Sequence, residues 1–239
     1  VISKGRSNSW NDTCRTIYFA DSCKGAWESR RHGSKELKVS REKLIAGLDR
    51  LGVIGDPDAI NKLLAFSDLI VHWNKGMNLI SRRDIDRLLS RHILDSLSVL
   101  PYLNGNSVLD VGTGAGLPGI PLAVLDENRS YTLCDRMAKR IRFLRMAVRE
   151  LQLKNVILEE RNLAKQPFER PAFDTILARG VASATELWPM VEPYLNKNGK
   201  VIVFESAQID VQAKDEDVSP VNPAASGKEH AFTTEQIRC

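Results

Sequence analysis

The sequence is poor in cysteine and aromatics and has no long apolar run, and each shortage removes a class of protein. Its four cysteines, Cys14, Cys23, Cys134 and Cys239, form no CxxC pair and have no histidine at metal-ligand spacing. Neither a disulfide framework nor a metal site is expected, and a reducing, cytoplasmic location is. No stretch reaches the roughly 18 uncharged apolar residues of a membrane span. Residues 1–35 contain no apolar core of a secretory signal. Aromatic residues make up only 6% of the chain, too few for a platform that threads single-stranded nucleic acid by stacking. Neither charge sign dominates: 34 basic against 30 acidic residues give +4, which permits a polyanionic partner without requiring one.

What is present suffices for a buried core. The 239 residues are 43% hydrophobic and 27% charged, as in one ordinary globular domain with appendages. The ends differ from the middle. Residues 1–50 carry 11 basic and 6 acidic side chains, and residues 206–239 carry 3 and 6. Residues 1–36, rich in Ser and Arg without apolar periodicity, read as a disordered extension, and 207–239 as a disordered polar tail. Between them lie a helical N-terminal layer (37–104) and an α/β domain (105–206).

In the helical layer, Ser40 is placed to cap a helix carrying Leu44, Ile45, Leu48 and Leu51 and ended by Gly52. Asp56-Pro57 starts a second, with Ile60, Leu63, Leu64, Ser67, Ile70 and Val71 on one face, running to about Trp73. Ser81-Arg-Arg-Asp84 reads as a capping box for a third, bearing Ile85, Leu88, Leu89, His92 and Ile93. From Ser107 the period changes. Short apolar runs at Val108–Val111, Tyr131–Cys134, Val156–Leu158, Phe173–Ala178 and Lys200–Phe204 alternate with helices starting near Pro118, Arg136 and Thr185. Strand–helix–strand repetition predicts a doubly wound, mostly parallel sheet with its ligand crevice at the carboxyl ends of the strands.

The chemistry concentrates in Val108-Leu-Asp-Val-Gly-Thr-Gly-Ala-Gly-Leu-Pro-Gly119. Gly114 to Gly119 matches GxGxxG, the dinucleotide fingerprint with a pyrophosphate on a helix N-terminus. The competing reading is a loop for S-adenosylmethionine: an acidic strand-end residue, Asp110, precedes glycines at 112, 114 and 116. A carboxylate there attracts a ligand with a cationic end and opposes a pyrophosphate. Asp135, 21 residues beyond Gly114, is placed to accept from ribose hydroxyls, which both cofactors possess.

Three blocks, the glycine loop among them, give the chain a resemblance. His72-Trp-Asn-Lys-Gly-Met-Asn-Leu79, Arg91-His-Ile-Leu-Asp-Ser-Leu97 and the glycine loop occur in one order and spacing, joined by Lys139-Arg-Ile-Arg-Phe-Leu144 and Phe173–Ser183. Over about residues 60–205 the chain resembles the bacterial small-subunit ribosomal RNA guanine-N7 methyltransferases, once called glucose-inhibited division protein B. The resemblance implies a class I S-adenosylmethionine-dependent methyltransferase fold, with 105–206 as the cofactor-binding domain. It implies cofactor contacts at Gly112, Leu117, Leu163, Ala164 and Arg179, beside Asp110, Gly114, Gly116 and Asp135 from the loop reading. The implied partner is small-subunit ribosomal RNA or an assembly intermediate of the subunit, met by a monomer without a membrane. Family members continue with two further strands where this sequence runs from Glu205-Ser206 into polar residues, so the sheet is expected to lack them.

Guanine N7 has an in-plane lone pair and no proton to lose, so the implied reaction needs alignment rather than a general base. His92, Asp95 and Ser96 resemble parts of a triad, but also polar positions of an ordinary helix, with His92 on its apolar face. Trp73 and Asn74 fit packing and a helix C-cap as well as an RNA contact. In the helix after Asp135, Met137, Ile141, Leu144, Val148 and Leu151 read as inward. Arg142, Arg145 and Arg149, with Lys139 adjoining, then form a basic stripe open to RNA phosphates or to solvent. Other readings stay open: a methyltransferase of this fold with another acceptor, a nucleotide-binding oxidoreductase, and an inactive RNA-binding remnant.

Overall fold

The computed structural model describes residues 35–169 and 173–204. The expected disordered segments, and the region where further strands were expected to be missing, fall almost entirely outside these residues. The chain divides into two compact units, Val1–Ser40 and Arg41–Cys239. Of the first, the description covers only the opening turn of helix α1 (Lys35–Arg50), which begins before Ser40, the expected cap. The rest of α1 buries Leu44 and Leu48, leaves Ile45 36% exposed, and gives way to Gly52 at φ +66°.

Helix α2 (Pro57–Met77) starts as its sequence dictates: Pro57 occupies the first turn and the Ala59 N–H donates to the Asp56 carboxylate at 2.7 Å. It runs past Trp73 and stops at Asn78, whose φ of 50° turns its N–H onto the Asn74 carbonyl. Ser67 and Val71, expected inward, are half-buried, while Phe66 and Leu69 are buried. Asn74 is not the C-cap but a buried brace: its side-chain oxygen accepts from the Ile80 N–H at 3.0 Å.

The third helix departs from expectation. Ser81 caps a 3-10 turn (Arg82–Arg87) by accepting from the Arg83 N–H, and Asp84 faces Arg91 and His92 instead of closing a capping box. A π-helical stretch (Leu88–Leu94) comes next, then one α-turn (Asp95–Leu97). A 3-10 turn winds tighter than an α-helix and a π-helix wider, so side chains within the stretch depart from α-helical spacing.

The sheet agrees with the apolar runs. Strands β1 (Ser107–Val111), β2 (Ser130–Asp135), β3 (Val156–Glu160), β4 (Phe173–Arg179) and β5 (Leu195–Phe204) are all parallel in the order β3-β2-β1-β4-β5. Strand β5 starts ahead of Lys200 because Leu195 already pairs with Phe173; Asn196-Lys-Asn-Gly199, a turn by composition, makes the register shift between that pair and the pairing of Thr175 with Lys200. Helices α3 (Gly119–Leu125), α4 (Ala138–Glu150) and α5 (Ala184–Val191) are the crossovers.

Alternation divides the sheet into two faces. Leu109, Val111, Ile176, Ala178, Val201 and Val203 form one core with Leu187 and Val191 of α5. Asp110 projects to the other face, toward the start of α3. Helix α4 buries Ile141, Phe143, Leu144 and Ala147. Met137, expected inward, is its extended N-cap and is 36% exposed, and Val148 is half-buried. Because α4 touches β2, β3 and α2, its buried arc is wider than a single stripe and takes in Phe143.

Candidate functional site

Strand β1 has β2 on one side and β4 on the other; the chain builds outward from β1 to β2 and β3, then returns across β1 to β4 and β5, which makes its carboxyl end the switch point of the sheet. The glycine loop starts there. Gly112, Gly114 and Gly116 have φ of 65°, 61° and 86°, a region closed to most side chains. A side chain at Gly112 would come within 2.5 Å of Val181, and one at Gly116 would meet Ile120, Leu144 and Phe66. Among the described residues a side chain added at Gly114 would meet only the Gly112 carbonyl within 4 Å, so the loop presents bare backbone on that side. Leu117 is buried, its N–H on the Thr113 carbonyl.

Asp110 lies under the loop, 1% exposed. Its Oδ2 accepts from the Thr113 hydroxyl at 2.6 Å and the Gly119 N–H at 2.9 Å, while Oδ1 is buried without a partner. Burial pushes its carboxyl up to about 7 against the pull of those two donors; Arg179 is close enough to lower it and Asp135 to raise it. The α3 N–H that a pyrophosphate would need is thus already taken by the protein's own carboxylate. That disfavours the dinucleotide reading on local grounds.

Asp135, 3% exposed, also arrives with protein partners. Oδ1 accepts from the Met137 N–H at 2.8 Å, and Oδ2 from the Gly114 N–H at 3.0 Å and from Arg140 at 3.1 Å. A carboxylate has about four acceptor directions, so roughly one remains for a ribose hydroxyl unless Arg140 releases its own. The sequence reading missed Arg140. Its signal was a cation in the first turn of a helix, where the dipole disfavours it unless an anion stands close by.

Arg179 ends β4 on the same face. It donates to the Asp95 carboxylate at 2.7 Å and to the Arg91 carbonyl at 2.8 Å, leaving Nη1 buried without a partner. His92 sits beside this pair, its pKa lowered by burial and by the Arg179 charge. It is therefore neutral near pH 7, and its 3.9 Å approach to Asp84 is not an ion pair. Ser96 spends its hydroxyl on the His92 carbonyl at 2.5 Å. The structure therefore brings His92, Asp95 and Ser96 together without a nucleophile and base in hydrogen-bond contact.

The remaining residues come after β3. Arg161 fastens this loop, donating to the Pro167 carbonyl at 2.8 Å and lying 4.6 Å from the Phe168 ring centroid. Leu163 is buried in the α5-side core, and Ala164 is exposed. Arg142, Arg145 and Arg149 are all exposed on α4, with Lys139 half-buried among them. Cys134, buried at the end of β2, has its thiol pushed up to about 12, which makes it unreactive. Among the described residues no cluster of three or more His, Cys, Asp or Glu could hold a metal ion, and no helix is long and apolar enough to cross a membrane.

Among the described residues five buried side-chain nitrogen or oxygen atoms lack partners, and three of them, on Asp110, Arg179 and His92, belong to this one region. Asp110 Oδ1 calls for a donor and Arg179 Nη1 for an acceptor. An α-amino acid supplies both, an ammonium and a carboxylate. That requirement, the bare backbone at Gly114 and the acceptor left on Asp135 together fit the amino-acid and ribose ends of S-adenosylmethionine.

A family model described as rRNA small subunit methyltransferase G (GidB) matches residues 59–233. A curated protein of Klebsiella pneumoniae (strain 342), named ribosomal RNA small subunit methyltransferase G, is 44% identical over 145 residues, 61% of this chain and 70% of its own length. A protein of that name from Methylococcus capsulatus is 39% identical over 169 residues, covering 71% and 82% of the two chains. One from Coxiella burnetii (strain RSA 331) is 36% identical over 181 residues, covering 75% and 88%.

Proposed function

Because the chain belongs to the rRNA small subunit methyltransferase G family, we propose that it transfers a methyl group from S-adenosylmethionine to N7 of a guanine in small-subunit ribosomal RNA. The observation that carries the cofactor assignment is the set of unpartnered buried atoms of Asp110 and Arg179 at the ends of β1 and β4. In this reading Arg179 and Asp110 hold the amino-acid end and Asp135 a ribose hydroxyl. Gly112, Gly114, Gly116 and Leu117 shape the loop, and Leu163 and Ala164 border it from the β3 side. The cofactor supplies an electrophilic methyl group on a sulfonium centre.

The residues need only bind and orient. Guanine N7 offers a lone pair and releases no proton, so the absence of a base in contact with a nucleophile among His92, Asp95 and Ser96 suits the acceptor. Alignment alone is worth up to roughly 7–11 kcal/mol of the barrier. The N7 position itself rests on the sequence blocks shared with the family. Arg142, Arg145 and Arg149 are the proposed phosphate contacts, on an enzyme that acts as a monomer in the cytoplasm.

The test is transfer of tritiated methyl groups to ribosomal RNA, free and within the small subunit, from a strain lacking the endogenous modification, followed by nucleoside analysis. Label in 7-methylguanosine is the expected result; label in another nucleoside corrects the acceptor. Reversing the charges of Arg142, Arg145 and Arg149 should lower the log–log salt slope of RNA binding by about 2–3 units. An unchanged slope would mark the stripe as mere solvated surface.

A further inference from the structure

Arg179 owes its position to the helical layer. Two groups of the 82–97 stretch converge on it: the Asp95 carboxylate at 2.7 Å and the Arg91 carbonyl at 2.8 Å. With side chains 21% and 17% exposed, Arg179 and Asp95 are largely shielded from water, which strengthens their attraction over that of a surface pair. A guanidinium carries five N–H donors in a rigid fork. Fixing Nη2 against Asp95 and Arg91 therefore fixes where Nη1 points, and Nη1 is the buried donor without a partner.

We propose that Asp95 is a positioning residue for Arg179, holding its guanidinium so that the free Nη1 meets the carboxylate of the methyl donor's amino-acid end. Asp95 does not touch the donor; it acts through Arg179. This rests on the cofactor reading above and assigns a task to a residue of the helical layer. It also gives the 82–97 stretch a task, since that stretch supplies both the carboxylate and the carbonyl that hold Arg179. Neutral His92 fits the same purpose, since an imidazolium there would compete with Arg179 for the Asp95 carboxylate.

The experiment compares two ligands by calorimetry, S-adenosylhomocysteine and 5′-methylthioadenosine. The second lacks the amino-acid end and so cannot use Nη1. Asp95→Asn is expected to weaken S-adenosylhomocysteine about tenfold, as for loss of one charge-supported contact, and to leave 5′-methylthioadenosine unchanged. Asp95→Glu should recover most of the loss. In an Arg179→Ala background Asp95→Asn should have no further effect on S-adenosylhomocysteine. In turnover, KM for S-adenosylmethionine should rise in Asp95→Asn while kcat stays within about twofold.

If Asp95→Asn binds S-adenosylhomocysteine like the parent, or loses both ligands equally, the proposal falls. If Asp95→Asn proves too unstable to measure, Asp95→Ser, which also removes the charge, decides with the same two ligands: selective weakening supports the proposal, and equal weakening or none overturns it. A parent chain that binds neither ligand overturns the cofactor reading, and this proposal with it. A parent that binds both, with variants that fail to discriminate, overturns only the proposal.

Discussion

Two aspartates at opposite ends of the sheet do similar structural work in opposite electrostatic states. At the amino end, Asp174 accepts from the N–H groups of Asn106 and Ser107, the Ser107 hydroxyl and the Asn196 amide, and these donors hold its carboxyl down at about 2. At the carboxyl end, Asp110 has two donors, an idle oxygen and a carboxyl pushed up to about 7. Both tie a turn containing a positive-φ glycine to a strand, Gly105 in one case and the 112–116 loop in the other. The difference lies in completeness. The satisfied end contributes stability, and the end that keeps polar atoms waiting is the one able to take a ligand.

The sharpest way to break this comparison is Gly114→Val. A β-branched residue at φ +61° strains the loop and covers its bare backbone, and S-adenosylhomocysteine affinity should fall about 100-fold or more, some 2.7 kcal/mol. Calorimetry on protein with an unaltered circular dichroism spectrum checks it; retained binding would reduce the loop to a simple turn. Asp135→Ala comes next. It removes the proposed ribose acceptor and leaves the Gly114 N–H and Arg140 without their partner, for an expected loss of about 1.5–3 kcal/mol in cofactor binding.

The opposite pattern should result from Asp174→Ala: about 2 kcal/mol less stability to urea, with cofactor affinity unchanged. The acid dependence has a definite sign. A folded carboxyl near 2 and an unfolded one near 3.8 mean that Asp174 stabilises the fold above about pH 4, and that this contribution disappears as pH falls toward 2. Comparing urea midpoints of parent and variant at pH 3 and pH 6 tests it; an equal gap at both would be the wrong answer.

Asp110 has the reverse sign and the smallest readout. Its folded carboxyl lies above the unfolded value, so ionising it costs stability as pH rises from about 4 to 7, with no further cost above. A bound ammonium should draw the proton off. Binding of S-adenosylhomocysteine near neutral pH is therefore expected to release protons, measurable by calorimetry in buffers of different ionisation enthalpy. Asp110→Asn should abolish that release.

Much of this arrangement was legible in the sequence, and the failures have physical causes. All five strands were visible as apolar runs; β1, β2 and β4 are buried on both faces, which leaves a continuous signature, while the edge strand β3, with Ile157 52% exposed, shows only a short one. The glycine loop and Asp135 were visible because positive φ and strand-end carboxylates restrict residue choice. The third helix was misread because π and 3-10 turns shift the period that pattern reading takes to be constant. With it went the meeting of Asp95 with Arg179, 84 positions apart, and of Arg91 with the same guanidinium. Asp110 and Asp135 stand on β1 and β2 as their spacing implied, but their shared use by the loop itself, through the Gly119 and Gly114 N–H groups, was not readable from spacing.

Phe66, fully buried in α2, stands against the back of the glycine loop at Gly116. The loop's shape is thus underwritten by a residue far upstream, in a layer that alone has no glycine motif to betray its importance. Recombination between relatives should respect that dependence. A chimera exchanging the sheet while keeping a foreign α2 would carry every signature of a cofactor loop and still seat it badly, so these two segments are expected to be inherited as a pair.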